Sequence, residues 1–157
     1  MFLKELIITT IAVNRTMMAG DRQFSHSAGV KMRGRTKIYE IPSEVSQEMF
    51  GNKRVFVGFA GNADAFADAI GYLHSPSESP PKIRGVEMLM LNERGEIYHA
   101  TNFRNWLLID QDHFAIGSGM QFAMAAMGSG KDPLEAVKIA SKYDSNTGMG
   151  FNKLVMT

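Results

Sequence analysis

The chain has 157 residues, of which 45% are hydrophobic and 21% charged, so it is long enough to bury the core of one domain. A formal net charge of +1 argues against a protein defined by nucleic-acid or strongly acidic partners. The absence of cysteine excludes disulfides, thiolate catalysis and cysteine-ligated zinc, and it is compatible with a reducing cytoplasm. No apolar run is long enough to span a membrane. We therefore expect one globular, cytoplasmic domain.

The first forty residues predict a hairpin, a loop and a third strand. The run from Leu6 to Val13 is rich in β-formers, and a turn at Asn14 separates it from a second strand at residues 16 to 19. Residues 22 to 34 hold few apolar groups and predict a loop, after which residues 36 to 41 alternate as a strand. Four basic residues without interleaved aromatics favour a solvated loop over a nucleic-acid site: Lys31, Arg33, Arg35 and Lys37.

The middle of the chain predicts a buried strand followed by a helix. Residues 54 to 60 are almost continuously apolar, as expected for a strand that is covered on both faces. Asn62 is a good N-cap, and apolar residues from Ala63 to Leu73 then follow helical spacing. The Ser/Pro-rich segment from Ser75 to Pro81 cannot continue that helix and is interpreted as a surface loop.

The last seventy residues predict strands, then two helices and a closing strand. Residues 86 to 91 and 96 to 100 form a hairpin, and further strands follow at 106 to 109 and 113 to 116. Ser118 and Gln121 resemble a capping box before a helix that Gly128 ends, and Asp132-Pro133 begins another helix with Ala136, Ile139, Ala140 and Tyr143 on one face. Residues 151 to 156 form the closing strand. This order favours two packed sheets between helical layers.

A threonine and two charged residues form the chemically most interesting pattern of the sequence. A β-type run begins at Thr9, Asp21 ends the next strand, and Lys37 follows sixteen residues later. A threonine hydroxyl needs a base to act as a nucleophile, and the residue's own free α-amine is one solution. A nearby ammonium favours the deprotonated forms, and a carboxylate holds that ammonium in place. The structural alternative is a strand threonine beside a solvated Asp/Lys pair.

No metal or organic cofactor is expected. The four histidines lack ligand spacing, and Gly128-Ser129-Gly130-Lys131 lacks the first glycine and the Ser/Thr of a phosphate-binding loop.

Taken together, these segments resemble the superfamily of proteasome β-subunits and HslV peptidases, and in particular the small proteasome-like proteins of phages and bacteria. The resemblance covers residues 9 to 157. It rests on Thr9-Thr10-Ile11-Ala12-Val13, Ala19-Gly20-Asp21 with its spacing to Lys37, Gly58-Phe59-Ala60-Gly61-Asn62-Ala63-Asp64, Ala115-Ile116-Gly117-Ser118-Gly119, and Asp144-Ser145-Asn146-Thr147-Gly148.

The resemblance implies an αββα sandwich with a reduced helical layer, in which Thr9 is the nucleophile and Asp21 and Lys37 support it. It further implies that a backbone N–H near Gly61 stabilises the oxyanion. Ser118, Asp144 and Thr147 are implied to hold the amine and hydroxyl by hydrogen bonds. Expected partners are a peptide or unfolded-protein substrate, further copies of the chain in a ring or stack, and an ATPase unfoldase.

The sequence departs from the family at three places. The first hairpin is about four residues shorter than in HslV, and a Pro/Ser loop replaces the second long helix of larger relatives, so their ring and unfoldase contacts do not transfer. Residues 1 to 8 precede Thr9 as a leader. While Ile8 is attached, the nitrogen of Thr9 is an amide that cannot accept a proton. Ile8 stands where the family usually has glycine, and its β-branching disfavours self-cleavage.

Two functional hypotheses follow. The first is a threonine peptidase that acts once the leader has been removed. The second is a catalytically inactive structural or assembly subunit of the same fold, in which residues 1 to 8 extend the first strand and block the site.

Overall fold

The computed structural model describes residues 5–7, 9–26 and 31–157. In this part of the chain, two antiparallel sheets and four helices form an α+β sandwich. The larger sheet contains β1 (Glu5–Ile7), β4 (Gln23–His26), β5 (Lys31–Arg33), β6 (Ile38–Glu40), β7 (Val55–Asn62), β8 (Val86–Asn92), β9 (Ile97–Ala100) and β10 (Leu107–Leu108). The smaller sheet contains β2 (Thr10–Asn14), β3 (Met17–Asp21), β11 (His113–Gly117) and β12 (Phe151–Val155). The helices are α1 (Ser43–Phe50), α2 (Ala63–His74), α3 (Met120–Gly128) and α4 (Pro133–Tyr143).

Three apolar layers separate the sheets and helices, which confirms the predicted αββα order. Residues of the larger sheet such as Val57 and Phe59 pack against Phe66 and Leu73 of α2. Between the sheets lies a second core, which includes Ile11, Met18, Phe56, Leu89 and Ile116. A third core of mainly small residues joins the smaller sheet to α3 and α4, and includes Ala12, Ala19, Ala115, Ala123 and Ala140. Alanine on both sides lets helices approach a sheet closely.

Strand β7 lies at the centre of the larger sheet. Its residues from Val55 to Ala60 are all buried, as the continuous apolar run predicts. One side of β7 pairs with β8 over its whole length, and the other side pairs first with β6 and then with β1. Asn62 caps the following helix, since its side chain accepts a hydrogen bond from the N–H of Asp64 at 2.9 Å. The strand therefore leads directly into α2.

The N-terminal region differs from the prediction in its sheet assignment. The run from Leu6 to Val13 is not one strand, because Glu5–Ile7 belongs to the larger sheet whereas Thr10–Asn14 belongs to the smaller one. β1 lies between β4 and β7 and is antiparallel to both. The chain thus crosses from one sheet to the other next to Thr9. The prediction that the leader extends the first strand is wrong in this respect.

Two further local predictions are wrong, and one helix was not predicted. Residues 22 to 34 are not simply a loop, because they contain β4 and β5, which pair with each other; residues 27–30 lie outside the described part. Helix α1 was missed, and its signal was the Pro42 that precedes eight helix-compatible residues. Tyr143 is largely exposed on α4 instead of sharing the buried face of Ala136 and Ala140.

Candidate active site

Asp21, at the end of β3, binds several other residues of the site through its carboxylate. Its carboxylate accepts hydrogen bonds from the hydroxyl of Thr9, from the N–H of Gly148 at 2.8 Å and from the N–H of Thr10 at 3.3 Å. The ammonium of Lys37 lies 3.2 Å from Oδ1 of the same carboxylate. Donors on several sides stabilise a carboxylate that has no contact with water.

Lys37 is buried to the same degree as Asp21, and neither side chain is exposed. Its ammonium also donates to the carbonyl of Gln23. Burial lowers the pKa of Lys37 to about 8, although the Asp21 charge opposes this shift. Burial likewise raises the pKa of Asp21, and Lys37 opposes that rise. Lys37 is therefore part of an internal ion pair and does not belong to a basic surface strip.

Thr9 lies immediately before β2 and is fully buried. Its carbonyl accepts a hydrogen bond from the N–H of Ser118 at 2.8 Å, and the Ser118 hydroxyl lies 3.4 Å from it. Gly117 permits this approach, because a Cβ at that position would lie 1.9 Å from the Thr9 oxygen and the residue has a φ of 97°. The backbone of Thr9 is thus held where β2 pairs with β11, whereas its side chain is held by Asp21 at the end of β3.

A chain of hydroxyls connects the remaining predicted residues. The Ser118 and Thr147 hydroxyls both donate to Oδ2 of Asp144. Thr147 in turn lies 2.8 Å from the hydroxyl of Thr10, which is the neighbour of Thr9. The predicted capping box at Ser118 is wrong, since Gly119 is the N-cap of α3 and no side chain caps that helix. Ser118 instead contacts Thr9 and Asp144.

Gly61 lies beside the same region. It pairs with Ile7 of β1, and together with Gly117 and Ser118 it lines a cavity of about 440 Å³. With a φ of 122° and a Gly85 oxygen 1.9 Å from any added Cβ, position 61 accommodates only glycine without rearrangement. All seven residues predicted for the site therefore lie in one region around Thr9.

Three contributors were missed by sequence reasoning, one of which is Gly148, whose N–H donates to Asp21. Thr10 supplies an N–H to Asp21 and a hydroxyl to Thr147, and Gln23 supplies a carbonyl to Lys37. The doubled threonine was a visible signal for Thr10. Nothing in the sequence marked Gln23, because its backbone carbonyl, common to all residues, makes this contact.

A larger cavity of about 720 Å³ opens between α2 and strands β4 to β6. Phe24 lies in its wall, and the ring centroid of Phe24 is 5.0 Å from Nζ of Lys37. Within the described residues, no group of three or more His, Asp or Glu side chains is arranged to hold a metal ion. Among the same residues, no helix has the length and apolar character needed to cross a bilayer.

The arrangement of two sheets between two helical layers is the fold of the proteasome-like proteins to which the chain is similar. Three solved structures of this class are similar to the chain over nearly all of its length. BPH from Thiobacillus denitrificans has a TM-score of 0.71 at 17% identity, with 94% of this chain and 97% of that chain covered.

HslV from Trypanosoma brucei has a TM-score of 0.66 at 19% identity and covers 93% of this chain and 98% of its own. Anbu, an ancestral beta-subunit from Yersinia bercovieri, has a TM-score of 0.69 at 11% identity, with coverages of 93% and 80%. No family model and no curated protein matches the sequence. The resemblance seen in the sequence is thus confirmed at the level of the fold.

Proposed function

We propose that this protein is a threonine peptidase of the proteasome type, active once residues 1 to 8 have been removed. The observation that carries the proposal is the hydrogen bond from the Thr9 hydroxyl to the buried Asp21–Lys37 pair. A structural threonine in a strand needs no ion pair, and a buried ion pair contributes little net stability. The similar structure of BPH has been solved in complex with epoxomicin, so a molecule of this fold binds that compound.

The reaction requires a free amine on Thr9. Hydrolysis of the Ile8–Thr9 bond adds water, releases the leader with a carboxylate and leaves Thr9 with an α-amine. That amine takes the hydroxyl proton while the Thr9 oxygen attacks the carbonyl carbon of a bound peptide. A backbone N–H near Gly61 stabilises the resulting oxyanion. The proton passes to the leaving amine, and an ester on Thr9 remains.

The second half of the reaction regenerates the enzyme. The Thr9 amine removes a proton from water, which attacks the ester carbonyl and releases the second product as an acid. The returning proton restores the Thr9 hydroxyl. Atoms balance with one water consumed per peptide bond, and the cycle uses no metal or organic cofactor.

The residues around Thr9 influence the protonation of its amine and the position of its reacting groups. A charged Lys37 disfavours protonation of the Thr9 amine and favours the alkoxide, and Asp21 keeps Lys37 beside the hydroxyl. Ser118, Asp144 and Thr147 hold the backbone around Thr9 and Thr10 through their shared hydrogen bonds. Their proposed role is to orient the new amine towards the hydroxyl.

The substrate in this proposal is a peptide or an unfolded protein in the cytoplasm. The proposal includes assembly of several copies into a ring or stack, because an enclosed chamber restricts access to unfolded chains. An ATPase unfoldase is a proposed partner on the same grounds.

The second candidate is an inactive structural or assembly subunit, and the position of β1 favours it. Glu5–Ile7 fills the gap between β4 and β7 with an antiparallel strand on each side. Thr9 is fully buried while these residues are attached. In this candidate, residues 1 to 8 stay attached, and Glu5–Ile7 functions as a part of the sheet.

Intact mass of the purified protein over time distinguishes the two candidates. The peptidase proposal predicts loss of the mass of residues 1 to 8, and a Thr9→Ala variant retains that mass if Thr9 itself makes the cut. If wild type and variant are both shortened, another protease removes the leader, and peptide hydrolysis by the shortened wild type alone supports the proposal. A wild type that stays full length and inactive overturns it in favour of the structural subunit.

A further inference from the structure

The cavity of about 720 Å³ is lined by both basic and apolar side chains. Phe66, Ile70 and the ring of Tyr39 are among the apolar lining groups, and Arg33 and Arg35 are among the basic ones. None of the residues that line it is acidic. Its volume lies in the range of sites that enclose small molecules or side chains.

The two arginines lack acidic partners in the structure. Both are exposed, and neither forms an ion pair with any residue in the ranges 9–26 and 31–157 whose side chain is described. The Arg33 guanidinium lies near Gly150, where an added Cβ would be 3.0 Å from an Nη atom. Burial raises the pKa of Tyr39, and the charge of nearby Arg35 opposes the rise. Arg35 and Tyr39 both line the cavity.

The cavity is next to the reacting hydroxyl. The Phe24 ring contacts Gly34, where an added Cβ would overlap the ring. The Lys37 ammonium also lies next to the Phe24 ring. Lys37 binds Asp21, which accepts the Thr9 hydrogen bond. The Asp21–Lys37 ion pair therefore lies between Phe24, which is part of the cavity wall, and Thr9.

The path of a bound peptide follows from β1. Phe24 belongs to β4, one of the two strands that flank β1, and Ala63 begins α2 directly after β7, the other flanking strand, so residues on both sides of β1 line the cavity. A peptide that replaced β1 would pair with the same two strands and pass the cavity. Because side chains alternate along a strand, only every second residue of such a peptide can enter.

We propose that this cavity selects peptides with an acidic side chain immediately before the scissile bond, and that Arg35 and Arg33 bind its carboxylate. The inference rests on the proposed peptidase function. The methylene groups of a glutamate pack against Phe24 and Ala63, while its carboxylate reaches the guanidinium groups of Arg33 and Arg35, which match a carboxylate geometrically. A large neutral residue would contact the apolar lining groups but would leave both arginines without an anion.

The test compares glutamate with glutamine, which has nearly the same shape without the charge. Fluorogenic tetrapeptides that end in either residue are offered to the processed enzyme and to three variants: Arg35→Gln, Arg33→Gln/Arg35→Gln and Arg104→Gln. Arg104 is an exposed arginine near β10 that is not among the residues lining the cavity, so its variant loses the same charge without changing the cavity wall. We expect kcat/KM for glutamate to exceed that for glutamine, with the ratio falling about tenfold in Arg35→Gln, as for loss of a hydrogen bond to a charged group.

A binding measurement keeps this inference separate from the proposed activity. N-acetylglutamate and N-acetylglutamine are titrated into the full chain, with Tyr39 and Phe24 resonances observed by NMR. Glutamate-selective binding that Arg35→Gln loses and Arg104→Gln keeps supports the cavity assignment even if no peptide is cleaved, in which case the proposed function alone fails. Cleavage without glutamate preference, or with a preference that Arg35→Gln retains, overturns the inference and leaves the peptidase intact. Neither cleavage nor selective binding overturns both.

Discussion

Lys37 Nζ lies 3.2 Å from Oδ1 of Asp21, and neither side chain is exposed to water. This ion pair joins two sheets, since Asp21 ends β3 in the smaller sheet and Lys37 precedes β6 in the larger one. The pair also accepts the hydrogen bond of the Thr9 hydroxyl, on which the proposed peptidase function rests. Removing one partner is costly, because the other charge would remain buried without compensation.

Replacing Lys37 by methionine is expected to lower the free energy of unfolding by about 3–5 kcal/mol at neutral pH, because Asp21 would lose its counter-charge. Burial already raises the pKa of Asp21 above its ordinary value of 3.8, so this group favours the folded state when protonated. That stability is present below the ordinary pKa and is lost as pH rises through the folded pKa. The deficit of Lys37→Met relative to wild type should therefore shrink towards about pH 4.

Urea unfolding across this pH range checks the expectation. Lys82→Met is the matched control, since Lys82 is exposed and distant from Asp21 in the sequence. If Lys37→Met loses the same free energy of unfolding at every pH, the loss does not arise from the ionised Asp21.

Replacing Thr9 by valine is expected to cost about 1–3 kcal/mol of stability in the full-length chain, the range for a buried acceptor that loses a donor. Thr9→Ser keeps the hydroxyl and loses one methyl group, for which we expect about 1 kcal/mol. Thermal and urea unfolding of the two variants measure the difference. Equal stabilities would mean that the hydrogen bond to Asp21 contributes nothing measurable.

A Gly61→Ala variant should lose about 3 kcal/mol or more, because the added Cβ meets the Gly85 oxygen at a backbone conformation unfavourable for alanine. Gly71→Ala is the control: it lies inside α2 with no atom within 4 Å of an added Cβ, and should gain about 0.5–1 kcal/mol. If Gly61→Ala has the same free energy of unfolding as wild type, the Gly85 oxygen does not lie as close to position 61 as the structure has it.

The processed enzyme should show a bell-shaped dependence of kcat/KM on pH. The value of kcat/KM rises as the Thr9 amine loses its proton. The nearby Lys37 charge lowers the pKa of this amine below its ordinary value of ~8. The value of kcat/KM falls again above about pH 8, where Lys37 itself becomes neutral. Kinetics between about pH 6 and 10, with Lys82→Gln as a charge control, test this profile. A rate that keeps rising to the alkaline end would show that the Lys37 charge is not required.

Several features were predictable from the sequence because they depend on neighbours along the chain. The continuous apolar run indicated the buried β7, and Asn62 and Asp132 were recognised as caps because an N-cap bonds an N–H two or three residues ahead. The two sheets and two helical layers followed from the order of these elements. The convergence of Asp21 and Lys37 on Thr9 followed from the motif spacing and the resemblance together.

Other features depend on residues far apart in the chain. Ser118 has a helix-cap sequence, yet its hydroxyl binds Asp144 and its N–H binds Thr9, 109 residues away. The sheet that β1 joins was decided by β4 and β7, because isolated β-formers between Leu6 and Val13 carry no information about their partners. The sequence alone determined which groups are available for chemistry. The tertiary structure decided which of them meet, because their hydrogen-bond partners come together only when both sheets pack.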